Sequence, residues 1–407
     1  MSGPLDGIRV IELATWHNGA AAGYLLGDLG ADVIKIEQPG VGDPTRGLKQ
    51  AFGHSLQLPG NRALWFDMVN RSKRSITLDL KSERGREVLH RLVGKADVFF
   101  TNFTSDVVDR LGADYESLSA HNPRLIWAIN TGVGTRGPQP NTRTFDSSIQ
   151  ARTGYMFRMG NAESGDPLLV GGGTFDQIGA TMLVYGIMAA LIARERQGIG
   201  QAIETSMLGS SIHLQHDNIH LYLWKKDATF GTSSASARDP FINWYRCSDG
   251  RWIMLTEPHP DRVWKEFCRA LGLVDIENDP RFTTLEARLR HGRILASLVE
   301  EAFARRPRDQ WIRLFDEQQV RFIYSAVNTV AEVAEDPQAL ANDYIVPMEH
   351  PTLGSTWTTG VPVKFSKTPS AVGAPAPECG QHTEEVLQEV AGYSWQEITK
   401  LRDDGVI

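Results

Sequence analysis

The stretch IRVIEL (residues 8–13), the small residues at 19–23 and the stretch ADVIKIE (31–37) decide the fold. The two apolar runs have the length of β-strands, and the segment between them has the length of a helix. Strand, helix and strand in succession form the unit from which parallel sheets are built. The sequence therefore predicts an α/β fold from its N-terminal region onward.

The same alternation of strands and helices continues along the chain. Apolar runs predict further strands at 75–80, 97–102, 125–130 and 201–206. Helical spacing of apolar residues predicts helices at 82–93 and 176–195. We expect a doubly wound, Rossmann-like sheet, in which ligands bind at the carboxyl ends of the strands. Here these ends are residues 14–18, Gln38, 102–104 and 131–134.

The chain length predicts more than one domain. With 407 residues, the sequence is longer than a single hydrophobic core usually supports. A polar stretch of small residues at 227–240 is typical of a linker or loop and marks a boundary. The strands and helices predicted beyond it indicate a smaller α+β domain. They are strands at 244–246 and 252–255 and helices at 261–271, 285–305 and 308–317, followed by a proline-rich extended stretch and a helix at 383–391.

The composition argues against several classes of protein. A formal net charge of −7, with Lys and Arg scattered along the chain, argues against a nucleic-acid-binding protein. The three cysteines are widely spaced and indicate neither a disulfide framework nor a zinc site. We see no secretory leader, and the most apolar segment, 178–193, is short for a membrane span. We therefore expect a cytoplasmic protein without nucleic-acid or membrane partners.

A single acidic residue stands in the glycine-rich stretch VGGGTFDQIG (170–179). Asp176 follows three glycines and lies at the start of the predicted apolar helix. A helix N-terminus stabilises an ionised carboxylate, and glycines leave room for a ligand near the backbone. Position alone leaves two interpretations open. Asp176 caps the helix, as aspartate often does, or it reacts with a bound ligand.

Several segments together resemble the class III (CaiB/BaiF-type) CoA-transferase family, which includes formyl-CoA:oxalate and carnitine CoA-transferases. The resemblance implies an enzyme that moves CoA from an acyl-CoA donor to a carboxylic acid acceptor, with no tightly bound cofactor. The matching segments occur in order between about residues 5 and 282. They are AAAGYLLGDLGADVIKIEQPGVGDPTRG, NRSKRSITLDLKSERGREVL, NFTSDVVDRLG, NPRLIWAINTGVG, FDSSIQARTG, the helix that carries Asp176, and NDPRF.

The family's nucleophile is the acid that precedes the glycine of a GI-x-AAL segment by ten residues. Here the segment is GIMAAL (186–191), and the acid is Asp176. A carboxylate with an ordinary pKa is ionised at neutral pH and needs no general base to attack a thioester. The resemblance implies an acyl-aspartyl anhydride, then an aspartyl-CoA thioester, and then a second anhydride with the acceptor acid.

Three further residues match polar positions near the reacting centre of the family. His17 and Asn18 follow the first strand, where an imidazole or an amide can donate a hydrogen bond to a developing oxyanion. Asp146, in TFDSSIQA, matches an acid beside the same centre. Structural interpretations stay open as well. His17 can be a packed residue, and Asp146 can be the N-cap of the helix that follows it.

The resemblance also implies contacts to CoA. Arg110 and Arg143 match cations that hold the phosphates, since a guanidinium forms charge-assisted bonds to oxyanions. Alternatively, Arg110 forms a surface ion pair with Asp106 or Asp109. The residues that match the adenine site and its surroundings are Leu78, Leu80, Asn102 and Phe103.

Other positions depart from the family pattern. Gln38, Thr104 and Thr131 stand where relatives carry basic residues, so fewer cations are expected at the phosphates. A glycine-rich loop covers the intermediate in oxalate-using relatives, and the second half of this sequence has no counterpart of it. We therefore do not expect oxalate as the preferred substrate.

One histidine cluster and three aromatic residues invite further interpretations. His213, His216 and His220 lie at helical spacing, so one helix face could present metal ligands. Because the family is not known to depend on a metal, we expect a packed or dimer-facing helix and no metal site. The aromatic residues either shape an acyl pocket for a bulky acid or belong to the core. They are Trp16, Trp65 and Phe66.

Alternative functions predict different residues. A 2-methylacyl-CoA racemase or epimerase of the same superfamily would carry a histidine immediately before Asp146, where this chain has Phe145. A non-catalytic CoA-binding subunit of a heteromeric transferase would not need an intact Asp176. A nicotinamide-dependent oxidoreductase would carry G-x-G-x-x-G after Leu13, and this chain does not. CoA transfer is the interpretation that the residues favour.

The resemblance further implies an interlocked homodimer, in which two chains thread through each other and both chain ends build each large domain. On this basis we predict a large CoA-binding domain from residues 1–215 together with 335–407. A linker at 216–227 and a small domain at 228–330 complete the prediction.

Overall fold

The computed structural model describes residues 3–161, 164–226 and 239–407. Its strands are β1 (Arg9–Leu13), β2 (Asp32–Glu37), β3 (Gln50–Ala51), β4 (His54–Ser55), β5 (Arg74–Thr77), β6 (Val98–Thr101), β7 (Ile126–Thr131), β8 (Gln201–Ser206), β9 (Ile242–Arg246), β10 (Trp252–Thr256), β11 (Tyr324–Val327), β12 (Ile345–His350) and β13 (Gly354–Thr359).

The α-helices of the described residues alternate with these strands in the first half of the chain. They are α1 (Trp16–Asp28), α2 (Leu64–Val69), α3 (Glu83–Val93), α4 (Ser105–Arg110), α5 (Tyr115–Ser119), α6 (Asp146–Arg152), α7 (Tyr155–Met159), α8 (Thr174–Gln197), α9 (Met207–Leu214), α10 (His216–Lys225), α11 (Pro260–Ala270), α12 (Leu285–Arg290), α13 (Gly292–Phe303), α14 (Arg308–Gln318), α15 (Val330–Ala334), α16 (Pro337–Ala341), α17 (Thr383–Glu389) and α18 (Trp395–Asp403).

The central sheet has the spatial strand order β5-β2-β1-β6-β7-β8. Its strands pair in parallel. The order reverses between β1 and β6, as in doubly wound sheets, whose ligands bind outside the carboxyl ends of the strands near this reversal. Residues 14–18 and 102–104 follow β1 and β6 and therefore lie at the expected ligand edge. The predicted α/β fold with a parallel central sheet is confirmed.

Apolar residues cover both faces of this sheet. Along β1, Ile11 and Leu13 belong to one core and Val10 to the other, because successive side chains of a strand point to opposite faces. Helices α3, α17 and α18 contribute to the first core, and α1 and α8 contribute to the second. Because both faces of the sheet are buried, successive residues of a strand are apolar, and the strands appear in the sequence as short apolar runs.

Helix α8 lies against α1 and against strands β7 and β8. By length and composition alone, it is apolar enough to cross a membrane. In this fold Ala180, Leu183 and Ile187 are fully buried, whereas Tyr185 and Ile192 are exposed. One side of α8 is therefore part of the core of the sheet, which matches the interpretation of this segment as a core helix.

The C-terminal segment covers β5, the edge strand of the sheet. Thr77 N donates to Thr383 Oγ1 at 3.0 Å. Backbone bonds of 2.8 Å extend the contact on either side, from Ser72 N to Ala374 O and from Asp79 N to Val406 O. An uncovered edge strand exposes unpaired backbone groups that can pair with another chain. Residues 374–406 satisfy these groups within the same chain.

Internal contacts divide the chain into two compact units. The first comprises Met1–Tyr155, Val170–Ala228 and Leu340–Ile407, and the second comprises Met156–Leu169 and Thr229–Ala339. The second unit contains an antiparallel sheet in the order β11-β10-β9. Its core is rich in aromatic residues from α11, α13 and α14, including Phe267, Phe303 and Phe315.

The units differ from the predicted domains at three places. Residues 335–339 were predicted to lie in the large domain, and their contacts group them with the second unit. Residues 216–227 were predicted to be a linker, but His216–Lys225 form α10. Ile219 and Leu223 lie four positions apart in it, the spacing that puts two apolar side chains on one helix face. Residues 156–169 were predicted to lie in the large domain, and their contacts group them with the second unit. The polar stretch at 227–240 lies almost entirely outside the described residues.

Two helices of the C-terminal half also differ from prediction. The single helix predicted at 285–305 is interrupted at His291, whose ψ of 23° ends α12 before α13 begins at Gly292. Helix α18 was not predicted at all. Its start carries a capping box, in which Ser394 and Glu397 exchange hydrogen bonds with each other's backbone amides. This pattern is a recognised N-terminal signal that the sequence interpretation overlooked.

Candidate active site

Asp176 lies in the first turn of α8, directly after two glycines with positive φ. Gly172 has φ 91° and Gly173 has φ 65°, a region that favours glycine. Gly173 is the N-cap residue, and the Asp176 side chain makes no capping bond. No residue that the structure describes donates a hydrogen bond to its carboxylate. The interpretation of Asp176 as a helix cap is therefore wrong, and the carboxylate is left available for a ligand.

Burial and, to a smaller extent, the nearby Asp146 carboxylate together raise the pKa of Asp176 to about 7. Desolvation disfavours a charged group, and a like charge adds to that effect. The expectation of an ordinary pKa for this carboxylate is therefore wrong. At neutral pH the group is divided between its protonated and ionised forms, and its ionised form is a stronger base than an ordinary aspartate.

Asp146 holds the first turn of α8 from another part of the chain. Its Oδ2 accepts from the backbone N–H of Phe175 at 2.6 Å and of Asp176 at 3.2 Å. It does not cap its own helix α6, because it is the first residue inside that helix and Phe145 occupies the cap position. Asp146 thus supplies the acceptor that the start of α8 lacks locally.

His17 also reaches the first turn of α8. Its Nε2 lies 3.3 Å from Gln177 Oε1, and Gln177 Nε2 donates to the Tyr24 hydroxyl at 3.1 Å. A Cβ on Gly173 would come within 3.1 Å of His17 Nδ1, so the glycine allows this close approach. Gln177 was not predicted from the sequence, although it follows Asp176 directly and orients the imidazole.

The tautomer of His17 matters for its predicted oxyanion role. Burial lowers the pKa of His17, although Gln177 and Asp146 oppose this effect, so the ring is mainly neutral at pH 7. The Gln177 oxygen can only accept, which puts the single ring proton on Nε2 and leaves Nδ1 as an acceptor. Donation to an oxyanion requires a second proton or a reversed Gln177 amide. The oxyanion role of His17 stays a prediction.

Asn18 is buried between β7 and α8. Its Oδ1 accepts a hydrogen bond from Asn130 Nδ2, and its Nδ2 would lie 3.0 Å from a Cβ on Gly179, one turn beyond Asp176. Asn130 was not predicted from the sequence, because it becomes a neighbour only through the pairing of the central sheet. The structure thus brings His17, Asn18 and Asp146 around the first two turns of α8. Their catalytic roles stay predictions.

Two clamps fix the loop that carries His17 and Asn18. Asn102 accepts from Thr15 N at 3.1 Å and donates to Thr15 O at 2.7 Å. Trp16 N donates to Asp43 Oδ1 at 3.4 Å, and Trp16 has φ 61°, which is unusual for a bulky residue. Asn102 was predicted beside the adenine site, and its amide is engaged with the backbone of this loop instead.

A buried cluster of charged residues lies below the same loop. Lys35 Nζ bonds Glu12 Oε1 at 2.9 Å, Asp43 Oδ2 at 3.0 Å and Ala14 O at 2.7 Å. Burial lowers the pKa of Lys35, but Glu12 and Asp43 outweigh that effect and raise it overall. Lys35 is therefore charged and holds the backbone at the end of β1.

Lys73, which directly precedes β5, is the second lysine of this cluster. Its Nζ donates to Glu12 Oε1 at 3.0 Å, to Asn70 Oδ1 at 2.8 Å and to Ala20 O at 2.8 Å, and it forms an ion pair with Glu12 Oε2 at 2.9 Å. Burial lowers its pKa to about 8. Because Lys35 binds the carbonyl of Ala14 and Lys73 that of Ala20, the two ammonium groups bracket the segment that carries His17 and Asn18.

A cavity of about 640 Å³ opens at the carboxyl ends of β1 and β2. Predicted residues Leu78, Leu80, Phe103 and Arg110 line it, as does Gln38. Two cations that were not predicted, Lys81 and Arg86, also contribute. The cavity therefore combines an apolar floor with several cations at its rim, a combination that suits a flat ring attached to phosphate groups.

The two predicted phosphate-binding arginines have different surroundings. Arg110 lines this cavity and also forms the alternative ion pair, at 3.2 Å to Asp106, with 68% of its side chain exposed. Arg143 is exposed in the loop before α6 and does not line the cavity. Arg143 is thus placed near Asp146 rather than near Leu78 and Leu80, and its contact with a phosphate stays a prediction.

The remaining predicted groups have structural surroundings. Phe66 is buried, with the Arg46 guanidinium 3.6 Å from its ring centre, so it belongs to the core. His216 and His220 are exposed on α10. Among residues 3–161, 164–226 and 239–407, no group of three His, Cys, Asp or Glu residues could hold a metal ion.

Comparison with known proteins identifies the family. Residues 5–383 match the sequence profile of CoA-transferase family III. The chain is 31% identical to cinnamoyl-CoA:phenyllactate CoA-transferase of Clostridium sporogenes, over 98% of this chain and 96% of that protein. It is 31% identical to succinyl-CoA:glutarate CoA-transferase of Mus musculus, over 99% and 90%. The crystal structure of a CAIB/BAIF family protein from Brucella suis superposes with a TM-score of 0.83 at 32% identity, over 96% of this chain and 100% of that one. The chain belongs to CoA-transferase family III and is a CoA-transferase.

Proposed function

We propose that the protein moves CoA from an acyl-CoA donor to a carboxylic acid acceptor through covalent intermediates on Asp176. The observation that carries the proposal is the Asp176 carboxylate itself. It has a raised pKa, makes no capping bond and lies in the first turn of a helix that two glycines leave accessible. Membership of the family and the names of the relatives support the class of reaction.

The proposed reaction exchanges one activated acyl group for another at each step. Asp176 Oδ attacks the thioester carbonyl, the C–S bond breaks, and a mixed anhydride and the CoA thiolate form. The thiolate attacks the aspartyl carbonyl and releases the donor acid. The acceptor carboxylate then attacks the resulting aspartyl-CoA thioester and releases the thiolate. Attack of the thiolate on the acceptor's acyl carbon gives the new acyl-CoA and frees Asp176.

Asp146 contributes by positioning and by charge. Its hydrogen bonds to the amides of Phe175 and Asp176 fix the first turn of α8. Its negative charge raises the pKa of Asp176, and a carboxylate of higher pKa is a stronger nucleophile once it is ionised. We therefore propose that Asp146 positions Asp176 and raises its pKa, and that it forms no covalent intermediate itself.

The pH dependence of transfer tests this assignment. We expect kcat/KM to rise with pH through about 7, because only the ionised form of Asp176 attacks. Asp146→Asn removes the like charge and keeps an oxygen acceptor for the α8 amides, so the midpoint should move to lower pH by about one unit. Rates measured from about pH 5 to about pH 9 give both profiles.

The control for this experiment is Glu286→Gln, which changes an exposed acid on α12. Its profile should coincide with that of the unsubstituted enzyme. A midpoint in Asp146→Asn that stays unchanged, or that moves to higher pH, would contradict a direct electrostatic effect of Asp146 on Asp176.

We place the adenine and phosphate groups of CoA in the cavity lined by Leu78, Leu80 and Phe103. Lys81, Arg86 and Arg110 at its rim supply positive charge for the phosphates. Binding energy from this distant part of the substrate can stabilise the high-energy intermediates at Asp176. The cations Lys81 and Arg86 partly replace those that are absent at Gln38 and Thr104.

Substitution of Arg86 checks this placement. Arg86→Gln should raise KM for the acyl-CoA by about 10-fold with a smaller change in kcat, and the effect should weaken at high salt. Arg84→Gln is the matched control. It removes a neighbouring arginine of the same helix, which pairs with Asp404 and does not line the cavity. Equal effects of the two substitutions would exclude the proposed site.

We also propose a homodimer. Helices α9 and α10 expose several large apolar side chains, and such exposed apolar groups mark sites of protein–protein contact. They are Ile212, Leu214, Leu221, Leu223 and Trp224. A partner chain would bury these side chains. Sedimentation of the protein at micromolar concentration should give the mass of a dimer, and a monomer would contradict the proposal.

The identities of the relatives do not select the acids that are exchanged. Proteins named for phenyllactate, glutarate and oxalate share 31%, 31% and 35% identity with this chain. Trapping with hydroxylamine after incubation with candidate acyl-CoAs, followed by mass spectrometry, identifies both the donor and the acylated residue. An adduct on Asp176 is expected, and an adduct on another residue would overturn the proposed mechanism.

A further inference from the structure

Two aromatic residues, Trp16 and Phe145, are the chain neighbours of residues that reach the first turn of α8. The ring centres of Trp16 and Phe145 are 5.2 Å apart, and the rings meet edge to face at 82°. Trp16 immediately precedes His17, and Phe145 immediately precedes Asp146. Because His17 and Asp146 both reach the first turn of α8, the ring pair lies beside that turn from two separate parts of the chain.

One ring of this pair is exposed, and the other belongs to a residue with an unfavourable backbone angle. Phe145 is 57% exposed. Trp16 adopts φ 61°, which is unfavourable for a bulky residue and persists only where the surroundings enforce it. The Asn102 clamp on Thr15 and the bond from Trp16 N to Asp43 provide that enforcement. The fold thus keeps the Phe145 ring accessible directly before Asp146, which holds the first turn of α8.

Further aromatic residues extend the apolar character of this region. Phe175, which precedes Asp176, is fully buried and packs on Tyr155 with 4.9 Å between ring centres. Aromatic rings attract one another in edge-to-face and offset geometries, and such a contact contributes about 0.5–1.5 kcal/mol beyond the burial of apolar area. A ligand ring placed against Trp16 and Phe145 would add a third ring to this arrangement.

The charges nearby disfavour a second anionic group on the substrate. Asp146 and Asp176 are both acidic, so a dicarboxylate would bring a further negative charge toward them. Arg143, which is exposed two residues before Phe145, is a cation that could attract such an anionic group instead. An apolar side chain avoids the repulsion and also displaces water, which would otherwise hydrolyse an anhydride on Asp176.

We infer that Trp16 and Phe145 are specificity-determining residues that select a monocarboxylic acid with an aromatic side chain. The inference rests on the function proposed above, because it names the acid whose carboxylate attacks the aspartyl-CoA thioester and releases the CoA thiolate. The rings contact the side chain of that acid and take no part in bond making.

Acceptor competition with the full-length enzyme tests the inference. The donor is whichever of acetyl-CoA and succinyl-CoA gives the faster hydroxylamine-trapped adduct on Asp176. The acceptors are 3-phenylpropionate, propionate and glutarate. We expect kcat/KM for 3-phenylpropionate to exceed that for each of the other two acids by about 10-fold or more.

Substitution of the rings should remove this preference. Phe145→Ala alters an exposed side chain, so the fold should be kept, and the ratio of 3-phenylpropionate to propionate should fall by about 10-fold. Trp16→Ala should act in the same direction. Trp395→Ala, a ring of similar exposure (55%) on α18, is the matched control and should leave the ratio unchanged.

The outcomes separate the inference from the function on which it rests. Transfer that prefers glutarate, or a ratio that Phe145→Ala does not change, overturns the inference and leaves the proposed function intact. A preference for glutarate that Arg143→Gln abolishes would identify that arginine as the specificity determinant instead. If none of the donors yields an adduct on Asp176 and no acid accepts CoA, both the proposed function and the inference fail.

Discussion

Asp176→Asn is expected to lower kcat/KM for CoA transfer by at least about 10⁴-fold, because it removes the nucleophile and leaves no path through a covalent intermediate. The amide is nearly the size of the carboxylate, so the glycines and the Asp146 contacts to α8 should stay in place. The measurement is the initial rate of CoA transfer between two acids. The trapped acyl adduct should also be absent from this variant.

The same substitution should make the protein more stable. The pKa of Asp176 is raised in the folded state to about 7, so the folded protein is penalised for ionising this group. The penalty grows as the pH rises from the ordinary pKa of an aspartate to about 7, and it is constant above that pH. Asp176→Asn removes it. We expect a gain in the free energy of unfolding on the order of 1–3 kcal/mol at about pH 8, and a smaller gain at about pH 5.

The combination of lost activity and gained stability excludes a trivial explanation by misfolding. Glu286→Gln, on α12, serves as the control because its exposed side chain forms a surface ion pair with the exposed Arg290. It should leave both activity and stability nearly unchanged. Transfer by Asp176→Asn within about tenfold of the unsubstituted rate would refute the nucleophile assignment.

Glu12→Gln should have the largest effect on stability. Glu12 is fully buried and neutralises two ammonium groups, those of Lys35 and Lys73. Its removal leaves buried positive charge without its main counter-charge, and breaking a buried ion pair on one side typically costs about 3–5 kcal/mol. Urea denaturation at neutral pH measures this loss. The control is Glu389→Gln, whose exposed pair with Arg74 should contribute less than about 1 kcal/mol.

Replacement of Lys35 and replacement of Lys73 should lower the free energy of unfolding by different amounts. The pKa of Lys35 is raised and that of Lys73 is lowered to about 8. Above about pH 8, Lys73 is mainly neutral in the folded state, so Lys73→Met should then cost less stability than Lys35→Met. Because both lysines hold the segment that carries His17 and Asn18, a folded variant of either should also show a reduced kcat. The reverse order of stabilities would contradict the charges assigned to this cluster.

Much of the fold could be predicted because the spacing of apolar residues along the chain indicates most of its strands and helices. The apolar runs at 8–13 and 31–37 became β1 and β2, and the apolar segment that follows Asp176 became α8. The interruption of the helix predicted at 285–305 was not foreseen, since it depends on one residue's backbone angles at His291. Local pattern therefore predicted the elements well and their boundaries less well.

The site was predictable only in part. Asp176 could be singled out by its distance from Gly186, and Asp146 by its motif, but the bond from Asp146 to the start of α8 joins residues thirty positions apart. The buried cluster of Glu12, Lys35 and Lys73 was not predicted because its members are also far apart in the chain. A signal was nevertheless present, because Glu12 and Lys35 interrupt two apolar strands, and they prove to be direct partners in the pairing of β1 with β2.

The contact between the edge strand β5 and residues 374–406 has a consequence for biosynthesis. A ribosome completes β5 long before it reaches the segment that covers this strand. At a translation rate of about 5–20 residues per second, the intervening stretch of about 300 residues leaves the edge uncovered for roughly 15–60 s. During this interval the nascent chain presents a hydrogen-bonding edge to its surroundings. We expect that a chaperone which shields such edges during synthesis increases the yield of folded protein, whereas one added after release acts too late.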